Sequence, residues 1–184
     1  MRKIDEFNIN NVSKFDKLFA FLYECICCVL LGICLRELSI ISFYILYLPI
    51  FVIITLIIHE SIHIVFFKIF NKKSKIKIIN NHFKQIFMYQ SNKEIYYNKY
   101  QTIIILLAPL ILISLISFII MNLITIKSFY LLFFINAIIN AMGSVTDLIS
   151  SLKLFIKYFN KKVFIKYELQ NNEVNIIIYI KTIT

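Results

Sequence analysis

His59 and His63 are four residues apart, and Glu60 directly follows the first histidine, in the run His59-Glu60-Ser61-Ile62-His63. On a helix, residues four apart share a face, so both imidazoles can reach one metal ion. Glu60 is then placed to take a proton from a water molecule at that ion. Two histidines and a glutamate in this order are typical of hydrolytic zinc sites. The pattern predicts zinc (Zn2+) held by His59 and His63, with Glu60 as the general base.

A third ligand must come from another part of the chain, because a catalytic zinc generally has three protein ligands and one open position. Asp147 is the only acidic residue in the last two apolar segments. At a rise of about 1.5 Å per residue, His59 lies roughly 29 Å beyond residue 40 and Asp147 roughly 27 Å beyond residue 129. These depths agree if both segments run from the outside inward, so we expect Asp147 to be the third ligand. His82, in the intervening loop, is the alternative ligand if Asp147 is not one.

Asparagines precede Asp147 on the same segment. Asn136, Asn140 and Asp147 are separated by four and seven residues, which places them on one face of a helix. Amides in apolar segments usually face the interior of a helix bundle. Asn140 could orient Asp147, the substrate backbone or a bound water, or it could only hydrogen-bond to another helix. We expect Gly143 and Ser144 to allow close helix approach near the metal.

The composition indicates a membrane protein. The chain has 184 residues, of which 60% are hydrophobic and 16% charged, whereas globular domains average about 25% charged residues. Its mean hydropathy is +0.80. Crossing a bilayer takes roughly 20 apolar residues, and four segments, at about 18–35, 40–64, 102–121 and 129–152, are long enough. We predict an all-α membrane protein with four transmembrane helices, in which Pro49 and Pro109 fall within spans.

The charge distribution predicts the topology. The net charge is +10, and the basic residues concentrate before the first span, at 68–99 and at 153–181. Lys and Arg accumulate in cytoplasmic loops, so we expect a multi-pass plasma-membrane protein with both termini cytoplasmic. Basic loops also favour anionic lipid headgroups. No aromatic-basic surface motif accompanies the charge, which argues against nucleic acid as a partner.

The polar segments between and after the spans predict small cytoplasmic β-hairpins. In the tail, apolar residues alternate at 163–169 and again at 174–180, on either side of Asn171-Asn172. Alternation around a turn-forming pair is the hairpin signal. A weaker version surrounds Asn80-Asn81. We therefore divide the chain into an N-terminal arm at 1–17, a transmembrane domain at 18–158 with a basic loop at 68–100, and a hairpin tail at 159–184.

The chain resembles site-2-type intramembrane metalloproteases and, more closely, the family of small bacterial membrane proteins named putative zincin peptidases. The resemblance rests on the HExxH run at 59–63, Pro109 in the next span and the stretch 140–147, and it covers most of residues 40–155. One departure is that Leu148 follows Asp147, where site-2 proteases usually have glycine. No proline precedes Asp147 nearby. These departures favour the zincin group.

The resemblance implies zinc on His59, His63 and Asp147, with Glu60 as general base. It also implies a β-hairpin after the HExxH helix, which could hold an extended substrate by strand addition. We expect a zinc metallopeptidase that cleaves a membrane protein or peptide substrate inside or at the surface of the bilayer, near its cytoplasmic face. No oligomeric state is predicted.

Two other functions are compatible with the sequence. The alternative is a non-catalytic membrane zinc-binding scaffold or immunity-type protein, in which Glu60→Ala would be silent while His59→Ala would destabilise the fold. Divalent-metal transport is disfavoured, because the outer halves of the spans are nearly all apolar and a transport path needs polar residues across its depth.

Overall fold

A computed structural model describes residues 2–8, 13–39, 47–73, 76–81, 85–90, 95–170 and 173–180. The described chain is mostly helical with short strands. In chain order the elements are β1 (Arg2–Asn8), α1 (Lys14–Ser39), α2 (Leu48–Phe70), β2 (Ile76–Asn81), β3 (Gln85–Gln90), β4 (Tyr97–Asn98), α3 (Lys99–Leu123), α4 (Lys127–Gly143), α5 (Val145–Lys157), β5 (Val163–Gln170) and β6 (Glu173–Ile180).

Three helices, α1, α2 and α3, are long and apolar enough to cross a membrane, and α4 together with α5 would make a fourth span. Large apolar side chains point outward from these helices. Phe21, Ile26 and Ile57, for example, are each 62% exposed. A continuous exposed apolar surface of this kind suits lipid rather than water, so the helices fit a membrane protein.

The second helix starts later than the hydropathy pattern predicts. It begins at Leu48, with Pro49 in its first turn, and the predicted residues 40–46 lie outside the described part of the chain. Proline suits the first turn because its fixed φ is helical and its missing N–H has no intrahelical partner there. Pro49 therefore suits the start of α2, whereas Pro109 lies in the interior of α3.

The predicted span at 129–152 is not a single straight helix. Two helices, α4 and α5, meet there at a bend of 53°. Ser144 at the junction donates its hydroxyl to the Asn140 carbonyl over 2.8 Å, and a serine that bonds four residues back often bends a helix. A Cβ added at Gly143 would meet no atom within 4 Å. Close helix approach therefore does not require this glycine, contrary to expectation.

The tail hairpin is confirmed, and it is the centre of a larger sheet. Strands β5 and β6 pair antiparallel with Tyr167 opposite Ile176, and the sheet order is β1-β6-β5-β4. The N-terminal segment, expected to be a polar arm, thus forms an edge strand. The all-α prediction is corrected to a mostly helical fold with a four-stranded antiparallel sheet. Strand β1 was missed because its partner lies at the other end of the chain.

The middle-loop hairpin is also present, with a shifted turn. Strands β2 and β3 pair antiparallel, and Asn80 and Asn81 lie opposite Ile86 and Gln85. The two asparagines therefore belong to a strand, not to the predicted turn. The connection falls at 82–84, outside the described residues.

The four-stranded sheet packs against one end of the helix bundle, here called the sheet end. A single apolar cluster joins the sheet to α2, α3 and α5, and its members include Phe67, Ile105, Leu154, Tyr167 and Ile178. A capping box between Asn98 and Gln101 starts α3, with both hydrogen bonds at 2.9 Å. Such a box satisfies two free backbone N–H groups. The start of α3 is therefore held beside the sheet.

Candidate metal centre

Three side chains that can bind a metal converge near the sheet end. His59 and His63 lie on α2, and Asp147 lies in the first turn of α5. The two histidine Nε2 atoms are 3.2 Å apart, and each is 3.4 Å from Asp147 Oδ2. The bend at Ser144 matters here, because it ends α4 and lets Asp147 approach from a separate helix.

These separations fit a tetrahedral zinc ion. Zinc binds histidine nitrogen and carboxylate oxygen at about 2.0–2.1 Å, which keeps tetrahedral ligand atoms about 3.3 Å from one another. The three observed separations lie between 3.2 and 3.4 Å. The His–His–Asp group can therefore hold a metal ion without rearrangement, leaving the fourth position open.

Asn140 fixes the orientation of His59. Its Oδ1 lies 3.0 Å from His59 Nδ1, and its Nδ2 donates to the carbonyls of Pro109 and Leu110 over 3.3 and 3.4 Å. Because the amide nitrogen faces two acceptors, the amide oxygen must face the ring. His59 therefore carries its proton on Nδ1 and presents Nε2 as a free lone pair, the tautomer that a metal ligand needs.

Pro109 leaves an acceptor for His63. A proline inside a helix has no N–H for the carbonyl four residues earlier, which here belongs to Ile105. His63 Nδ1 lies 2.8 Å from that carbonyl oxygen. Since a carbonyl can only accept, the Nδ1 of His63 is protonated and its Nε2 is free.

The two tautomers produce an excess of acceptors at one point. Both Nε2 lone pairs and the Asp147 carboxylate face one another within hydrogen-bond range. Each neutral imidazole carries a single proton, and each of these protons is already committed on the far side of its ring. A bound cation balances three converging acceptors, as in zinc sites with outer hydrogen bonds to each histidine.

Glu60 lies beside this group without being part of it. It is half-buried and interacts electrostatically with His59, His63 and Asp147. The two histidine side chains are 9% and 11% exposed, whereas Asp147 is 20% exposed. Asp147 is therefore the most exposed of the three candidate ligands.

The structure brings together His59, His63, Asp147 and Glu60, while His82 lies outside the described residues. Asn140 bonds to His59, a partner that the sequence analysis did not name. Asn136 contacts Thr55 and donates to Ser117 Oγ over 3.2 Å. The Ile105 carbonyl is a further group of the site that was not predicted. The free Ile105 carbonyl could have been predicted from the sequence, because a proline at position 109 has no N–H to bond to the carbonyl four residues before it.

The fold and the His–His–Asp group define a mostly helical protein with a candidate metal centre between its helices. A family described as "Putative zincin peptidase" matches residues 52–179, which is more than two thirds of the chain. The chain belongs to this family, whose description implies a zinc-dependent metallopeptidase. The matched range contains Glu60 and the three converging ligands. No curated protein and no solved structure matches the chain.

Proposed function

We propose that the protein is a zinc-dependent peptidase that hydrolyses peptide bonds of a membrane protein or peptide at the sheet end of its helix bundle. One observation carries the proposal: the nitrogen and oxygen atoms of His59, His63 and Asp147 have the mutual separations of tetrahedral zinc ligands. Membership in the zincin family supports the same chemistry.

The residues have separate roles in hydrolysis. When bound, zinc supplies a Lewis acid that makes water nucleophilic near neutral pH and polarises a carbonyl group. His59, His63 and Asp147 would hold it. Glu60 accepts the proton that water loses as its oxygen attacks the peptide carbonyl carbon, and then passes that proton to the leaving amine nitrogen as the C–N bond breaks. Asn140 keeps the His59 ring in place throughout.

A cavity beside the centre supports a substrate inside the bilayer. It has a volume of about 230 Å³ and lies between α2, α3 and α4, next to Thr55, one turn before His59. Its walls are mostly isoleucine and phenylalanine, with Thr55, Ser117 and Asn136 as polar exceptions. An unwound segment in lipid needs partners for its backbone polar groups. The apolar walls would accept a substrate side chain, and a substrate backbone would have to replace the hydrogen bonds that join Thr55, Asn136 and Ser117.

We assign the sheet end to the cytoplasmic face of the plasma membrane. Strands β1 and β6 pair with each other, so both ends of the described chain lie on one side of the bundle. Lys153, Lys157, Lys161 and Lys162 lie at this same end. A cluster of lysines beside a span favours the cytoplasmic side. The β2–β3 hairpin is then available there to hold an extended substrate by strand addition.

The test compares wild type with Glu60→Gln. Each zinc-loaded protein is reconstituted in liposomes with a solubilised membrane proteome, and new N-termini are identified by mass spectrometry. We expect wild type to generate cleavage products that 1,10-phenanthroline suppresses. Glu60→Gln should retain one zinc per chain and lose the products by a factor of about 10² or more, the usual contribution of a general base.

The matched control is Ser61→Ala, because Ser61 is exposed and, among the residues that the structure describes, donates to the Ile57 carbonyl of its own helix. It should cleave like wild type. Full cleavage by Glu60→Gln would contradict the role of this residue. Zinc binding without any cleavage product would favour the scaffold or immunity-type function instead.

A further inference from the structure

Tyr167 on β5 has a buried hydroxyl group that lacks a hydrogen bond. The residue is 6% exposed, and its ring packs against Phe67 and Tyr97 with centroid distances of 5.5 and 6.5 Å. Within the described part of the chain, no donor or acceptor meets this hydroxyl in hydrogen-bond geometry. A buried, unpaired polar group costs free energy, and native proteins rarely retain one without a reason.

The neighbours of Tyr167 place its hydroxyl close to the metal centre. Phe67 follows His63 by four residues on α2, which is one helical turn of about 5.4 Å. Thr102, which lies near the hydroxyl, precedes Ile105 by nearly one turn on α3. Burial raises the pKa of Tyr167, and the charge of Asp147 raises it further. The hydroxyl therefore lies close enough to Asp147 to be affected by the charge of that carboxylate.

The three candidate ligands differ in their outer partners. His59 has the Asn140 side chain and His63 has the Ile105 carbonyl. Asp147 contacts both imidazoles through Oδ2, which leaves Oδ1 out of these contacts. Ligating carboxylates are normally hydrogen-bonded through the oxygen that does not bind the metal. The centre thus has a carboxylate oxygen outside the ligand contacts and, among the described residues, a buried hydroxyl without a hydrogen bond.

We propose that Tyr167 is the positioning residue for Asp147, and that it donates its hydroxyl to Asp147 Oδ1 when the metal is bound. This inference rests on the proposed metal site and adds its missing outer partner. The hairpin tail then has a role in the centre: its strand β5 carries the donor that holds the third ligand in its binding orientation.

The test is the zinc affinity of Tyr167→Phe in detergent, measured by competition with a chromophoric zinc chelator. Loss of an outer partner typically weakens metal binding about 10- to 100-fold, and we expect a loss in this range. The unfolding temperature of the metal-free variant should equal or exceed that of wild type, because the change removes an unpaired hydroxyl and keeps the ring. A purely structural tyrosine would instead lower the unfolding temperature and leave zinc affinity unchanged.

The matched control is Tyr97→Phe, since Tyr97 is in the same apolar cluster and its hydroxyl already faces the Phe67 carbonyl at 3.5 Å. It should bind zinc like wild type. The inference is overturned if Tyr167→Phe keeps wild-type zinc affinity, or if both variants lose affinity equally. If wild type itself binds no zinc, the proposed function fails. If wild type binds zinc and Tyr167→Phe binds it equally well, only the inference fails.

Discussion

His63 points its Nδ1–H at the carbonyl oxygen of Ile105, 2.8 Å away on the neighbouring helix. That oxygen lacks its usual helical partner because Pro109 has no N–H to offer. The proline in the middle of α3 therefore determines which nitrogen of His63 faces the metal centre. A feature that looks like a helix defect in the sequence acts as part of the outer hydrogen-bond network of the site.

Pro109→Ala should weaken zinc binding while stabilising the helix. The new N–H at position 109 would bond to the Ile105 carbonyl and compete with His63 for it. We expect zinc affinity to fall about 10-fold, at the lower end of outer-partner effects, and the unfolding temperature to stay equal or rise. Pro49→Ala is the control, because Pro49 lies in the first turn of α2. Unchanged zinc affinity in Pro109→Ala would show that the freed carbonyl is irrelevant to the metal.

Asn140→Leu should reduce both zinc affinity and stability. The change removes the acceptor of His59 Nδ1 and the donor to the carbonyls of Pro109 and Leu110. We expect zinc binding to weaken about 10- to 100-fold and the free energy of unfolding to fall by about 1–3 kcal/mol. Chelator competition and denaturant unfolding measure the two effects.

Asn136→Leu separates the two effects. Asn136 lies one turn earlier on α4 and bonds to Thr55 and Ser117 instead of a candidate ligand. It should lose stability and keep wild-type zinc affinity. Equal loss of zinc in both variants would mean that helix packing, not the His59 contact, explains the result.

Gly143→Ala should be tolerated, because a Cβ at this position meets open space. Alanine also favours a helix over glycine by up to about 1 kcal/mol. We expect an equal or higher unfolding temperature and an unchanged zinc content by metal analysis. A variant that loses zinc would indicate that the glycine is needed for the junction between α4 and α5.

Asp5 should make stability depend on pH through its link between β1 and the end of α5. Lys157 Nζ donates to Asp5 Oδ2 over 2.6 Å, and the Tyr158 hydroxyl donates to the same oxygen. Burial opposes ionisation of Asp5, but these hydrogen bonds and the Lys157 charge outweigh it and lower the pKa of Asp5. Stabilisation from such a group is present above its unfolded pKa of about 3.9. It is lost as pH falls through the lower folded value.

The measurement is thermal unfolding of wild type and Asp5→Asn between pH 7 and pH 3, with a chelator present throughout. Wild type should have the higher unfolding temperature at pH 5 to 7, and the difference between the two unfolding temperatures should shrink toward pH 3. Glu6→Gln serves as control, since Glu6 pairs with Lys3 in its own strand. A difference in unfolding temperature that stays constant from pH 7 to pH 3 would contradict a pH-dependent stabilisation by Asp5.

Local patterns predicted a large part of this molecule. The apolar runs predicted α1 and α3 to within about four residues at each end, and α2 with both of its ends placed too early in the chain. Period-two alternation predicted β5 and β6. The four-residue spacing of His59 and His63 placed both rings on one helix face. These features depend on residues that are close in sequence, where helix and strand periodicity apply directly.

The parts that sequence missed depend on partners far apart in the chain. Strand β1 forms because β6 offers it an edge, and no local pattern shows that pairing. The break at Ser144 lies in a segment that, taken as a whole, is long and apolar enough for one span, so hydropathy alone does not show it. Tyr167 reads as an ordinary inward-facing strand residue, and only packing against Phe67 and Tyr97 shows where its hydroxyl lies.

The most direct test of the metal centre is the zinc content of the detergent-purified protein, for wild type beside Asp147→Ala and Glu60→Gln. The geometry predicts about one zinc per chain in wild type and in Glu60→Gln. Zinc should be lost or bound much more weakly in Asp147→Ala, because Asp147 is one of the three converging ligands and Glu60 is not. Equal zinc in all three proteins would remove Asp147 from the ligand set. No zinc in wild type, even after incubation with the metal, would contradict the metal centre itself.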